Sequence, residues 1–290
     1  MKKHLPHSAL TLGISPCPND TFIFDAWVNG RLGPQAPEVT CRIADVAALN
    51  DMALHEELDV VKVSIFACGM LRKAYRILNA GGAMGRGCGP LIVARCADID
   101  RQSLADPRIS IAVPGRWTTA HLLLSLYQPA ARNKVFMSFD RIMPAVARGD
   151  VDAGLIIHEG RFTYGRYGLV MVADLGAWWE AATGLPLPLG GIVAKKSLGG
   201  AMIATVEETI RASLAAARAN PDRPRAFMQR HAAEMDAGVM QQHVALYVNG
   251  YTRDFGRDGR QAIKHLLRLA QGQGLFGRHG LSCLPETGAT

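Results

Sequence analysis

The sequence predicts an α/β fold built as two units of similar topology. Three observations carry this. Strand-like apolar runs alternate with helical patterns through the first two thirds of the chain, the pattern of sheets covered by helices. From Ala201 onward the pattern is helical only, so this part is expected to cover an existing sheet. Finally, Glu57-Leu58-Asp59-Val60-Val61-Lys62-Val63-Ser64-Ile65 is echoed by Asp150-Val151-Asp152-Ala153-Gly154-Leu155-Ile156-Ile157-His158. Each copy reads as a helix, a tight turn with Asp and a buried strand. A length of 290 residues suits two domains at ~150 residues each.

The elements follow in order. Residues 10–15 alternate like a strand, and Pro16-Cys17-Pro18-Asn19-Asp20 stops it, because two prolines remove ladder donors. Asn19 or Asp20 can cap a helix running towards Gly30. Residues 38–44 alternate again, Asp45 opens a helix, 59–64 is a strand and 65–71 is helical. The glycine-rich stretch 81–89 matches neither a phosphate loop nor a dinucleotide fingerprint, and is read as flexible or tight backbone near a domain crossover. Strands are expected at 90–94, 109–113, 134–138, 151–157 and 169–172, with helices from Thr118 or Thr119 to about 126 and from Asp140 to about Gly149. Residues 186–191 form a breaker before a strand at 192–194, and helices cover about 201–219, 223–231, 236–248 and 258–271. The sheets are expected to be mainly parallel.

Composition narrows the function. Apolar residues make up 49% and charged residues 20%, ordinary globular usage. No apolar run approaches the ~18 residues of a membrane span. The basic start, Met1 to His7, lacks the apolar stretch of a secretory signal. The formal charge of +7 is scattered, with no dense Lys/Arg block of the kind that tracks nucleic acid. It suits solvated arginines or an anionic small ligand. Cysteines 17, 41, 68, 88, 96 and 283 form no Cys-x-x-Cys and no zinc spacing, and are read as reduced.

In open α/β sheets ligands bind beyond the carboxyl ends of the strands. The echo puts Ser64 and His158 at two such ends, so a ligand between the domains can touch both. His158 is a natural general base at a strand end, or a histidine hydrogen-bonded at a domain surface. Thr118-Thr119 at a helix start offers an anion site or a simple cap. Lys62 shares a strand face with Ser64, and either reaches a ligand or pairs with an acid. Trp178-Trp179 is read as core or rim packing.

Several stretches together resemble the 1,4-dihydroxy-6-naphthoate synthase family of the futalosine route to menaquinone. They are Ser15-Pro16-Cys17-Pro18-Asn19-Asp20-Thr21, Lys62-Val63-Ser64, Gly85-Arg86-Gly87-Cys88-Gly89-Pro90, Thr118-Thr119, His158-Glu159-Gly160-Arg161, Leu185-Pro186-Leu187-Pro188-Leu189-Gly190-Gly191 and Tyr247-Val248-Asn249. The first and fifth are the specific ones. The resemblance implies a two-domain fold like the type II periplasmic binding proteins, with a hinge and a cleft. Residues 1–97 with 193–290 would form one domain and 98–192 the other. It implies a cytoplasmic enzyme converting cyclic dehypoxanthine futalosine to 1,4-dihydroxy-6-naphthoate, with no metal or organic cofactor. His158 would be the proton acceptor. Lys62, Ser64, Thr118 and Thr119 would contact the substrate, and Asn19, Asp20 and Arg86 would line the cleft. The partner is a small anionic substrate, with no nucleic acid and no membrane; the sequence carries no signal for oligomeric state. The family often has Thr where Val61 stands and Phe-His-Ala where Ile65-Phe66-Ala67 stands, changes that remove polar groups beside the binding strand. A solute-binding protein or sensor, and a chorismate-dehydratase-like sibling, are the alternatives on the same fold.

Overall fold

The computed structural model describes residues 9–232 and 236–276. The expectations for Met1–His7 and Cys283 lie outside them. In chain order the elements are β1 (Leu10–Ile14), α1 (Pro18–Val28), β2 (Val39–Ile43), α2 (Val46–Leu54), β3 (Val60–Ser64), α3 (Ile65–Leu71), β4 (Tyr75–Ile77), β5 (Ala83–Gly85) and β6 (Leu91–Ala94). Next come β7 (Ile111–Val113), α4 (Thr119–Tyr127), β8 (Lys134–Phe136), α5 (Phe139–Arg148), β9 (Ala153–Ile156), α6 (Gly160–Thr163), β10 (Val170–Asp174) and α7 (Leu175–Thr183). The chain ends with β11 (Leu187–Lys195), α8 (Gly199–Ala219), α9 (Arg225–His231), α10 (Ala237–Tyr247), α11 (Gly250–Arg253) and α12 (Gly256–Gly272).

The strands form two sheets, which define two lobes. The first has order β2-β1-β3-β11-β4, with β5 on β11; the second has order β10-β6-β9-β7-β8. Both are mixed rather than mainly parallel. In the first, β1, β2 and β3 run parallel while β11 is antiparallel to β3, β4 and β5. In the second, β7, β8 and β9 run parallel while β6 is antiparallel to β9 and β10. The antiparallel strands β6 and β11 lie at the two places where the chain changes lobe. Sheet pairing moves those places earlier than the expected borders at 97/98 and 192/193: β6 already belongs to the second sheet, and β11 to the first.

Local sequence explains most of the elements. Asp45 caps α2 by accepting from the Ala47 amide. α5 starts at Phe139, with Asp140 inside its first turn rather than at the cap, and ends on Gly149 in the left-handed region. α1 starts earlier than Asn19, with Pro18 at its first position. The expected breaker at 186–191 is mostly strand. Pro188 is accommodated where the register with β5 shifts, so its missing N–H interrupts no regular ladder. The glycine-rich stretch is tight: a Cβ on Gly82 would fall 2.2 Å from Phe255, and Gly89 holds φ +136°. α7 is an element the sequence reading left out; its Trp179 is fully buried and donates to the Pro186 carbonyl.

The echoed segments are one construction used twice. Asp59, just before β3, accepts from the Thr11 amide at 2.9 Å and the Thr11 hydroxyl at 2.8 Å. Asp152, just before β9, accepts from the Ser110 amide at 2.8 Å and the Ser110 hydroxyl at 2.7 Å. Each Asp amide in turn donates to that hydroxyl. Three residues upstream, Glu56 and Gly149 both take positive φ to end the preceding helix. Each carboxylate therefore ties a central strand to its parallel neighbour.

Candidate active site

A cavity with about 630 Å³ of empty space, counted out to open solvent, lies between the lobes. The first lobe contributes Ser15, Asn19, Lys62 and Ser64, with His243 and Tyr247 from α10; the second contributes Thr118, Thr119, Ala120 and His158. The carboxyl ends of β3 and β9 thus meet at one space, as the strand echo predicts.

His158 follows β9 with φ 57°, a left-handed conformation that few non-glycine residues adopt. Its ring packs edge-on against Phe139 at 5.0 Å. Nδ1 lies 3.2 Å from the Cys17 sulfur of the opposite lobe, while Nε2 is buried without a hydrogen-bond partner. Burial, then the nearby Glu159 and Asp20 charges, push the Cys17 thiol well up, so it stays protonated. The thiol and Nδ1 can share a hydrogen bond in either sense; in the tautomer with hydrogen on Nδ1, Nε2 carries a lone pair that can take a proton.

The floor of the first lobe is an ion pair. Lys62 Nζ donates to Asp20 Oδ1 at 2.5 Å, and Asp20 is fully buried. Asp20 also accepts from the Ser15 amide and hydroxyl and from Asn19 Nδ2. Lys62 therefore lines the cavity with its charge already countered, while Asp20 sits behind it. Asn50 accepts from the Ser64 amide and donates to the Ser64 hydroxyl, leaving that hydroxyl's own proton for the cavity.

Of the two readings of the threonine pair, an anion site or a simple cap, the hydroxyls make caps and ties within the protein. The Thr118 hydroxyl donates to the Gly115 carbonyl and accepts from the His121 amide, a cap. The Thr119 hydroxyl donates to the Leu189 carbonyl and accepts from the Phe66 amide, tying α4 to the first lobe. Thr119 and Ala120 line the cavity in the first turn of α4, where their amides have no intrahelical acceptor. Two such N–H groups at the positive end of a nine-residue helix are able to receive an anion.

Arg86 departs from the expected cleft lining. Its guanidinium is half-exposed, donates to the Gly184 carbonyl and lies near Glu180 on an outer surface depression. Arg161 of the His-Glu-Gly-Arg stretch is structural as well, pairing with Asp174, which caps α7. Sequence reasoning missed His243 and the Tyr247 ring. Their signal was the spacing of Val239, Met240, His243 and Tyr247, which places both on the buried face of α10. Among the described residues, no group of three or more His, Cys, Asp or Glu side chains is placed to hold a metal ion, and no helix is long and apolar enough to cross a membrane.

The chain matches known proteins over most of its length. A family model described as menaquinone biosynthesis matches residues 10–272. The chain is 49% identical over 267 residues to a 1,4-dihydroxy-6-naphthoate synthase of Thermus thermophilus, covering 92% of this chain and 96% of that one. It is 46% identical to the enzyme of the same name from Streptomyces coelicolor, covering 92% and 94%. A crystal structure of an Archaeoglobus fulgidus protein superposes with a TM-score of 0.86 at 36% identity, covering 94% of this chain and 100% of that one. An alkanesulfonate-binding protein from Xanthomonas axonopodis gives 0.70 at 13% identity, covering 96% and 97%, a likeness of fold: two lobes around a cleft, as in periplasmic binding proteins. The chain belongs to the menaquinone biosynthesis family.

Proposed function

We propose that the protein is a carbon–carbon lyase that converts cyclic dehypoxanthine futalosine to 1,4-dihydroxy-6-naphthoate, with His158 as the proton acceptor. The observation that carries this reading is the unpartnered His158 Nε2 in a cavity that also holds the open amides of α4. The substrate carboxylate sits on the Thr119 and Ala120 amides, and Ser64 donates to a second polar group. His158 Nε2 takes the proton, the ring opens, a carbon–carbon bond breaks and the sugar-derived part leaves. Aromatisation of the product drives the step forward. Lobe closure keeps water from the intermediate. The biosynthetic role of the relatives favours the cytoplasm, which cell fractionation would test.

The test incubates the protein with cyclic dehypoxanthine futalosine, with and without a chelator, and follows dihydroxynaphthoate by chromatography. Product is expected in both. No product, combined with tight binding of another solute, would replace the lyase with a solute-binding protein. Loss of activity on chelation, restored by added metal, would overturn the expectation of a metal-free reaction.

A further inference from the structure

We infer that His243 is a second substrate-contacting imidazole, one whose Nδ1 accepts a hydrogen bond from a substrate hydroxyl and so fixes which way round the substrate lies. This rests on the proposed function and adds to it.

The proton on His243 can be located. Its Nε2 is 2.9 Å from Asn19 Oδ1. The Asn19 amide has one orientation, because its Nδ2 donates to the Asp20 carboxylate at 2.8 Å and a carboxylate only accepts. Oδ1 is therefore a carbonyl oxygen, and His243 Nε2 carries the hydrogen that it accepts. His243 is buried, with 1% of its surface exposed. That burial, followed by the nearby His158 and Lys62 charges, holds it well below the usual histidine range, so the ring is neutral. A neutral imidazole with hydrogen on Nε2 has a bare lone pair on Nδ1. This Nδ1 is buried and has no hydrogen-bond partner, a rare condition for a polar atom. His243 also lines the cavity.

The consequence is a choice of ligand group. Nδ1 can accept and cannot donate, so it favours a hydroxyl over a carbonyl or carboxylate. The α4 amides have the opposite character: they donate and favour a carboxylate. The His243 acceptor and the α4 donors thus line the cavity from different lobes. The sugar-derived hydroxyls of the proposed substrate are the matching donors. His158 and His243 have ring centroids 6.5 Å apart, so the hydroxyl held by one lies beside the group deprotonated by the other.

Two substitutions separate this role from plain packing. His243→Gln keeps a donor near Asn19 and removes the Nδ1 acceptor. It is expected to stay folded and to raise KM for cyclic dehypoxanthine futalosine about tenfold to a hundredfold. His243→Asn puts a carbonyl oxygen near the Nδ1 position and is expected to recover part of that loss. Monodeoxy analogues of the substrate sugar supply the second arm. At one hydroxyl, removal should cost the wild type a similar factor in affinity and cost His243→Gln nothing further. Wild-type KM in His243→Gln, or losses that multiply at every hydroxyl, would overturn the inference while leaving the lyase intact. If His243→Gln does not fold, His243→Asn with the same analogues decides: discrimination at one hydroxyl supports the role, and none removes it. A wild type that neither binds nor converts the substrate would remove the proposed function and this inference together.

Discussion

The two lobes share their foundations and differ at the rim. In both, an Asp before the central strand grips a hydroxyl and an amide on the parallel neighbour, and a positive-φ turn precedes it. Beyond the strands they diverge. Ser64 leaves β3 in extended backbone and leads straight into α3, its hydroxyl held by Asn50. His158 leaves β9 in the left-handed region and rests its Nδ1 on a sulfur from the other lobe. One strand end lines the cavity with a hydroxyl held from within its own lobe. The other carries an imidazole in contact with both lobes, through Phe139 of its own and Cys17 of the other. The shared clamp ties strands together, and the differing rim lines the cavity.

The largest stability effect should separate the ion pairs of the two lobes. Lys62–Asp20 has side-chain exposures of 6% and 0%, against 15% and 20% for Arg161–Asp174. Asp20→Asn leaves a buried ammonium uncompensated and should cost about 3–5 kcal/mol in urea unfolding. Asp174→Asn keeps the α7 cap and leaves a guanidinium that water reaches, so its cost should be about 1 kcal/mol. Equal costs would break this contrast.

The clamps should behave alike. Asp59→Asn and Asp152→Asn each weaken two charge-assisted hydrogen bonds at partly exposed sites, so each should cost about 1–2 kcal/mol. Burial works against ionisation of Asp59, but the hydrogen bonds from Thr11 and the Lys195 charge together hold it below the usual carboxylate range. The Ser110 amide and hydroxyl do the same for Asp152. A carboxylate depressed in the folded state contributes its stability above the unfolded value of about 3.9 and loses it as pH falls through the folded value. Wild-type stability should therefore decline below about pH 4, and the Asp59→Asn, Asp152→Asn double variant should decline less steeply over the same window. An unchanged acid limb would show that the clamps are not its source.

The smallest effect concerns the cross-lobe sulfur. Cys17→Ala leaves His158 Nδ1 without a partner and should lower kcat by about tenfold, with Cys17→Ser recovering part of it. An identical pH profile and rate in both variants would return Cys17 to packing.

Much of this was legible in the sequence, because it rests on local chemistry. The Asp-strand echo located both clamps and both strand ends, and Asp45 and Gly149 marked their helix boundaries. The roles of the threonines were not legible. A Thr-Thr pair at a helix start looks alike whether its hydroxyls face a ligand or the Gly115 and Leu189 carbonyls; only tertiary packing decides. Arg86 was misplaced because a family stretch does not say which of its side chains turn outward. β11 was obscured by Pro188, which breaks a strand only where its N–H is needed. His243 lies 85 positions beyond His158, on a helix whose pattern says only that it is buried.

The central claim is that the imidazole at the rim of the second lobe does the chemistry. It is tested most directly by the turnover number of His158→Asn at saturating cyclic dehypoxanthine futalosine, with substrate affinity measured by calorimetry on the same preparation. Asn keeps a polar group at the position and cannot accept the proton. The account predicts a kcat lowered about 10²–10⁴-fold, with affinity near that of the wild type. A kcat close to the wild-type value would contradict it.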